Sequence, residues 1–421
     1  MKMKKLVVSM FAAGMLASPL AHATNGYFAH GYGMKAKGMG GVGIALPQDA
    51  LAAATNPAGM VMVGDRIDAG VDWFRPVRGA TITGTAFGGF SDGNFDGNNT
   101  KNFFVPEFGY NKMMNSNMSL GVSVYGNGGM NTDYTRAIPL FNMANTQAAG
   151  INLEQLFIAP TVAWKVTPTQ SIGVSLNLAY QRFGAKGLQN FLGFSSSPAN
   201  VINNGYDTST GYGLHLGWIG QITDTVSLGA MYQSKTKMSK FNKYSGLFAD
   251  AGSFDIPATY GVGIAVKATP ATTVAADIQV IEYSGVPSVA NPLSNLTALG
   301  NLLGTPNGPG FGWKNMTVFK LGVSHDWSEA LTVRAGYNHN NQQIPSGETM
   351  FNIIAPGVVQ DHVTLGASWN VTKDNEVTLS YMHAFKNTIN GVGSIPAALG
   401  GGEANINMYQ DSLGIAYSWK L

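Results

Sequence analysis

Cysteine is absent from all 421 residues, which removes disulfide frameworks, thiolate metal sites and cysteine nucleophiles from consideration. Charge is scarce as well: Asp, Glu, Lys and Arg make up 11% of the chain, against about 25% in an ordinary soluble domain. A chain so poor in charge is not built to present the usual hydrated surface. The formal net charge of +2 lacks the basic excess of a nucleic-acid binder. Long apolar runs are missing too, since a spanning helix needs about 20 such residues and only Leu6 to Ala21 approaches that. Glycine, at 54 residues, and aromatics, at 7 Trp, 16 Tyr and 21 Phe, are plentiful. That much apolar material excludes a disordered coil.

The N-terminal run carries the three parts of a secretory signal: Lys2, Lys4 and Lys5, the apolar stretch from Leu6, and the small-residue exit Ala21-His22-Ala23. Residues 1–23 are therefore expected to be removed, with cleavage near Ala23. The alternative is a membrane anchor, but Ser9, Gly14, Ser18 and Pro19 interrupt the run. Export removes three lysines, so 25 basic residues fall to 22 against 23 acidic ones.

From about Asp65 onward, segments of roughly ten residues alternate apolar with small or polar side chains, which is the strand period. Ile172, Val174, Leu176, Leu178 and Tyr180 alternate with Gly173, Ser175, Asn177, Ala179 and Gln181, and Tyr212, Leu214, Leu216 and Trp218 repeat the pattern. Aromatics gather at strand ends (Trp73, Trp164, Tyr180, Trp218, Tyr232, Trp327, Tyr337, Trp369, Trp419), as where a lipid-facing band meets headgroups. Connections alternate between tight, such as Thr223-Asp224 and Ser328-Glu329, and long, such as 127–155, 182–210 and 283–315. Short periplasmic turns and long external loops mark an outer-membrane barrel. The pattern predicts an all-β transmembrane antiparallel barrel of about fourteen strands, near 66–74, 103–112, 118–126, 156–166, 171–181, 211–221, 225–234, 257–267, 273–282, 316–326, 330–339, 361–370, 375–385 and 409–420. Closure satisfies the backbone in lipid without a free edge. The last strand ends in Leu421, which leaves Trp419 as the expected signal for barrel-assembly machinery.

Residues 24–64 do not alternate. They hold Gly38-Met39-Gly40-Gly41-Val42-Gly43, Ala50 to Ala54 and Thr55-Asn56-Pro57-Ala58-Gly59. A G-x-G-x-x-G spacing without a βαβ unit is no dinucleotide fingerprint. A compact Gly-rich segment ahead of the first strand is expected to fold back as a plug into the lumen, which side chains alone cannot fill at this strand number. The division is then signal 1–23, hatch 24–64 and barrel with long external loops 65–421.

Ala23-Thr24-Asn25-Gly26-Tyr27-Phe28, the Gly-Ala stretch from Gly40 to Ala45, and Asn56-Pro57-Ala58 before the first strand resemble the FadL/TodX family of outer-membrane transporters for long-chain fatty acids and hydrocarbons. The resemblance implies a monomeric barrel closed by a hatch, with Asn56, Pro57 and Ala58 as its gating residues. It further implies capture of substrate by external loops, passage to a pocket beside the hatch, and sideways exit where the third strand is kinked. Here that point is Gly126-Asn127-Gly128-Gly129, with Gly126, Gly128 and Gly129 as relaxation points or a plain turn.

Several external loops are apolar where a porin would be polar. Leu140, Phe141 and Met143, Phe191, Leu192 and Phe194, and Leu296 and Leu299 within a leucine series spaced by three suggest either a docking groove for an acyl chain or a cap of packed loops. A carboxylate would need a cation. Lys165, Asp277 and Arg334 are the clearest inward charges by alternation, and Arg334 with Lys35 and Lys37 of the hatch are the candidate head-group partners. Residues 92–98 copy the first half of a calcium loop, but Phe103 stands where the bidentate Glu belongs, so no metal is expected.

No cofactor is expected, and no enzyme either: His30, His215, His325, His339, His362 and His383 are dispersed, and Asp361 and His362 face opposite sides of a strand. Expected partners are a hydrophobic small molecule and outer-membrane lipid, not nucleic acid. The function read from the sequence is passive, ligand-gated uptake of hydrophobic molecules, foremost long-chain fatty acids. The alternatives are an aromatic-hydrocarbon channel of the same family, a general diffusion porin, and an adhesin or receptor.

Overall fold

The computed structural model describes residues 24–86, 92–144 and 146–421; the expected signal segment and its cleavage site lie outside the described residues. Alternation has become wall. Fourteen strands follow one another: β1 (Arg66–Thr83), β2 (Phe103–Asn115), β3 (Met118–Asp133), β4 (Gly150–Thr167), β5 (Gln170–Lys186), β6 (Asp207–Gln221), β7 (Val226–Gln233), β8 (Thr259–Thr269), β9 (Thr272–Ile281), β10 (Met316–Asp326), β11 (Leu331–Asn340), β12 (Asp361–Thr372), β13 (Asn375–Ile389) and β14 (Glu403–Lys420). Each pairs antiparallel with its successor, and β14 returns to β1 from Arg66↔Lys420 to Thr83↔Glu403, closing the ring. Two short strands, Gly93–Asp96 on β1 and Lys237–Met238 on β6, extend its rim.

The outward set Ile172, Val174, Leu176, Leu178 and Tyr180 is exposed, whereas Ser175, Asn177, Ala179 and Gln181 are buried. Among the described residues no helix is long and apolar enough to cross a membrane. The strands cross it instead, each hydrogen-bonded to neighbours on both sides around the ring. Several strands are far longer than the roughly 9–11 residues a bilayer needs: β1, β4 and β14 have 18 residues each. Their external ends stand above the apolar band, where the outward positions turn polar at Arg75, Arg182 and Lys186.

Residues 24–64 contribute no barrel strand. They form one helical turn (Met34–Lys37) and two 3-10 turns (Ala52–Ala54, Pro57–Met62), and almost all of them are buried within the ring. The second 3-10 turn starts as its sequence dictates: Pro57 takes the first position and the Asn56 side chain caps it, accepting from the Ala58 N–H at 3.1 Å.

The segment fits because the wall opposite it lacks side chains. A Cβ built on Gly217 of β6 would lie 1.9 Å from Asn56 Oδ1, on Gly336 of β11 2.1 Å from the Gly40 nitrogen, on Gly173 of β5 2.3 Å from the Pro57 carbonyl carbon, and on Gly229 of β7 2.3 Å from the Ile44 oxygen. Gly109 on β2 and Gly322 on β10 complete the track, each 2.5 Å from a backbone oxygen of the segment on the same construction. Close approach of two backbones needs glycine on the wall.

Candidate transport pathway

At the external end the long loops pack on one another. Phe141 meets Phe191 with ring centroids 5.5 Å apart, Phe191 meets Phe351 at 5.2 Å, and Phe183 meets Phe248 at 4.6 Å. Between them lies an apolar cavity of about 50 Å³, lined by these rings with Ile151 and Leu303 and with Ser288 as its polar contribution. Of the residues read from sequence as a docking surface, Phe141 and Phe191 line this cavity. Leu140 is buried beside them, Leu192 is partly buried against the same cluster, and Met143 and Phe194 are exposed. The leucine series forms a single helical turn, Ser294–Thr297, instead of a longer amphipathic helix. Leu296 is buried in it and Leu299 is exposed.

A second apolar cavity, about 20 Å³, lies deeper, against Gly26, Phe74, Gly129, Met130, Trp313 and Met408. The chain's first described residues build its neighbourhood. The Tyr27 ring packs against Tyr283 at 5.1 Å and Trp313 at 5.9 Å, and the Tyr283 hydroxyl donates to the Asn25 carbonyl at 2.6 Å while accepting from the Tyr27 N–H at 3.2 Å. Both cavities are far below the roughly 300–1,000 Å³ of a ligand site for a drug-sized molecule. Admission of a chain-like molecule requires these rings to part.

Beside the inner cavity the wall is incomplete. Pairing of β2 with β3 runs from Asn115↔Met118 to Phe108↔Val124 and ends there. β2 continues to Phe103 with β1 as its one strand partner, and β3 continues to Asp133 with β4 as its one strand partner, its other side bridged by Phe28 at Gly128 and by Asn98 at Asp133. The register of β3 against β4 shifts between Gly126 and Gly128, so Asn127 is the extra residue of a bulge. The N-terminal segment occupies the freed edges. The Ala29 N–H donates to the Asn127 carbonyl at 3.2 Å, the Gly129 N–H to the Tyr27 carbonyl at 2.9 Å, and the Gly33 N–H to Glu107 Oε2 at 3.2 Å. The glycines read from sequence as relaxation points thus lie within a strand bend, not in the turn that ends it.

Charged and amide groups tie the segment to the wall. Lys37 Nζ lies 3.0 Å from Asp72 and 3.5 Å from Glu107, and Lys35 Nζ lies 2.7 Å from Glu376. Arg334 donates to Ser368 Oγ at 2.7 Å and to Gln48 Oε1 at 3.2 Å. Asp277 accepts from the Gly43 and Ile44 N–H groups at 2.8 and 3.1 Å, and Asn56 Nδ2 donates to the carbonyls of Ile44 and Trp218 at 2.7 and 3.0 Å. Burial pushes the Asp49 carboxyl above the usual carboxylate range, and the neighbouring Asp68 adds to this. Burial likewise lowers Lys35, assisted by Arg66 and opposed by Glu376. Lys35 and Arg334 therefore meet at Gln48 while Lys37 is held by Asp72 and Glu107, and none of the three lines either apolar cavity. Lys165 is half-buried at the far end of β4. Replacing Lys37 by Met strands two buried carboxylates, a defect of about 3–5 kcal/mol. The expected result is faster proteolytic cleavage within 24–64, and adding Glu107→Gln should recover part of the loss.

Alternation in the sequence did not point to Arg78, because it falls in a stretch read as loop. It is an inward residue of β1, buried, with its guanidinium donating to the carbonyls of Pro76 at 2.9 Å, Thr100 at 2.8 Å and Asn131 at 3.0 Å and to the side-chain oxygens of Asn98, at 3.4 Å, and Asn131. Pro76 and Asn131 both line the inner cavity. No carboxylate among the described residues forms an ion pair with Arg78. A Pro-Val-Arg placed two residues beyond an inward Phe74 was the available signal.

Residues 92–98 do not form a cation loop. Gly93–Asp96 is a strand on β1, and the Asp92 carboxylate accepts from the Gly84 and Thr85 N–H groups at 2.9 and 3.0 Å. Asp361 and His362 do face opposite sides: Asp361 turns outward to His339 Nδ1 at 2.8 Å, while His362 is buried near the Asn338 carbonyl.

A ring of fourteen strands with a lipid-facing band, a filled lumen and two apolar cavities defines an outer-membrane channel for hydrophobic compounds. Residues 15–418 match the family described as outer membrane protein transport protein (OMPP1/FadL/TodX), and the chain belongs to it. No curated protein matches the sequence. Among solved structures, the Pseudomonas putida toluene transporter TodX is 18% identical with a TM-score of 0.70, covering 94% of this chain and 100% of that one. A Pseudomonas aeruginosa FadL homologue is 16% identical with a TM-score of 0.71, covering 94% and 99%. The Ralstonia pickettii toluene transporter TbuX is 17% identical with a TM-score of 0.65, covering 93% and 98%. At these identities the likeness speaks to the fold. Members of the family are transport channels in the outer membrane and not enzymes.

Proposed function

We propose that the protein takes up long-chain fatty acids passively, with residues 24–64 as a ligand-displaced hatch and 65–421 as the barrel. The loop cavity receives the apolar chain, the inner cavity holds it next to Arg78, and the unpaired edges of β2 and β3 release it sideways into the membrane. Asn56, Pro57 and Ala58 fix the hatch in its resting place, and Gly126, Gly128 and Gly129 give β3 its bend. The observation that supports a carboxylate-bearing substrate is Arg78: a buried cation without an ion-pair partner among the described residues, standing behind the inner cavity and hydrogen-bonded to Pro76 and Asn131 of its lining, so that a carboxylate reaches it by displacing the Asn98 or Asn131 side-chain oxygen. A hydrogen bond to a charged group contributes about 1.5–3 kcal/mol. Arg78→Gln is then expected to weaken oleate binding by the purified protein at least roughly tenfold, while methyl oleate, which lacks the charge, binds as before. Equal losses for both ligands would remove Arg78 from this role.

Aromatic hydrocarbon uptake is the second reading, favoured by the loop cavity, where no cation meets the rings. Tighter binding of toluene than of oleate by the unaltered protein would select it.

A further inference from the structure

A further cavity, about 620 Å³, belongs to neither apolar site. It sits at the external rim of β3, β4 and β5, and its walls include Asn131, Asp133, Asn152, Lys186, Asn203 and Tyr206. Alternation turns this patch outward. Leu178 and Tyr180 are lipid-facing, and Arg182, Gly184 and Lys186 continue the same face of β5. Across the sheet, Asn152 pairs with Gly184 and Asn131, and Asp133 and Lys186 both pair with Gly150, so all project to the same side.

The chemistry of the patch is polar and ordered. Arg182 donates to both oxygens of Glu154, at 3.1 and 2.9 Å, and its guanidinium lies 4.3 Å over the Tyr206 ring. The Tyr206 hydroxyl accepts from Asn152 Nδ2 at 3.1 Å, Asn152 Oδ1 accepts from Asn131 at 2.9 Å, and Lys186 pairs with Asp133 at 2.9 Å. Fixed amides, pre-oriented ion pairs of balanced charge and a half-exposed tyrosine ring offer the donors, acceptors and stacking face that sugars require. Directly below, Ile158, Leu176, Leu178 and Tyr212 expose an apolar track to lipid.

We infer that this cavity binds the saccharide headgroup of an outer-leaflet glycolipid, whose acyl chains lie along that track. A free saccharide could use the polar cavity but would leave the track unused. A glycolipid uses both.

The test uses the full chain purified in detergent, with two probes: an acylated glucosamine disaccharide and its fully deacylated counterpart. Native mass spectrometry is expected to show one acylated probe bound per chain and the deacylated one bound at least tenfold more weakly. Lys186→Glu combined with Tyr206→Ala should reduce binding of the acylated probe at least tenfold, with oleate binding and heat-modifiable gel migration of the folded barrel unchanged. Undiminished binding by the double variant overturns the inference. So does equal binding of the two probes, which would make the cavity a site for soluble saccharide. Lys186→Ala alone, expected to give an intermediate loss, keeps the test decisive if the double variant fails to fold.

Discussion

Valine at both Gly217 and Gly336 is expected to turn a sealed barrel into a steadily conducting one. The added Cβ atoms would fall 1.9 Å from Asn56 Oδ1 and 2.1 Å from the Gly40 nitrogen. Neither neighbour can swing away, because Asn56 is held by the carbonyls of Ile44 and Trp218 and the Gly40 N–H donates to Thr364 Oγ1 at 2.7 Å. Overpacking of this kind costs about 1–3 kcal/mol per site, occasionally more. The wall itself does not suffer, since exchanging glycine for a β-branched residue inside a strand favours the strand by up to about 1 kcal/mol. The strain is therefore relieved by unseating residues 24–64 while the ring stays closed. Planar-bilayer recordings should show a large, continuous conductance absent from the unaltered protein, with heat-modifiable migration intact. A sealed double variant would mean that the glycine track does not seat the segment.

Deletion of Asn127 is expected to abolish uptake while leaving ligand binding in place. Gly126 pairs with Leu156 and Gly128 with Gln155, so removing the residue between them brings β3 into a single register along β4. A straight β3 then presents an edge to residues 103–107 of β2, which have β1 as their sole strand partner. Continued pairing closes the wall and displaces the contacts of Tyr27 and Ala29 with the bend. Radiolabelled oleate uptake by cells should fall at least tenfold, and oleate binding to the purified protein should change little. Uptake at the original rate would place the exit elsewhere.

How much of this could be read from sequence follows from where the contrast between faces is strong. Within the bilayer, lipid on one side and lumen on the other force alternation, and the middle of every strand was legible. Above the lipid that contrast fades: β1 runs to Thr83 where the pattern stopped at 74, β3 to Asp133 where it stopped at 126, and β4 begins at Gly150 instead of 156. Arg75, Arg182 and Lys186 look like loop residues because they are polar, yet they stand on strands in water. Arg78 was lost in the same zone. Asn56-Pro57-Ala58 stood out as a motif of the resemblance; that Asn56 caps a 3-10 turn begun by Pro57 was not read from it, although that chemistry is local. The inward carboxylates Asp72, Glu107 and Glu376 were not picked out, since each has its meaning only through a lysine of the lumenal segment far away in sequence. The wall glycines were visible merely as small residues. That each marks a point where another backbone passes is a three-dimensional fact.

A wall stripped of Cβ atoms along one track is a smooth bearing. Where side chains interdigitate, a sliding body must lift each knob out of its hole, and motion is locked to discrete steps. Along Gly109, Gly173, Gly217, Gly229, Gly322 and Gly336 there are no knobs on the wall. Resistance to displacement is concentrated instead in a few directional latches: Lys37 on Asp72 and Glu107, Lys35 on Glu376, and the N–H groups of Gly43 and Ile44 on Asp277. Such a mechanism is tight while the latches hold and loose once they open, so each latch can be weakened separately to tune how readily the segment moves without reshaping the barrel around it.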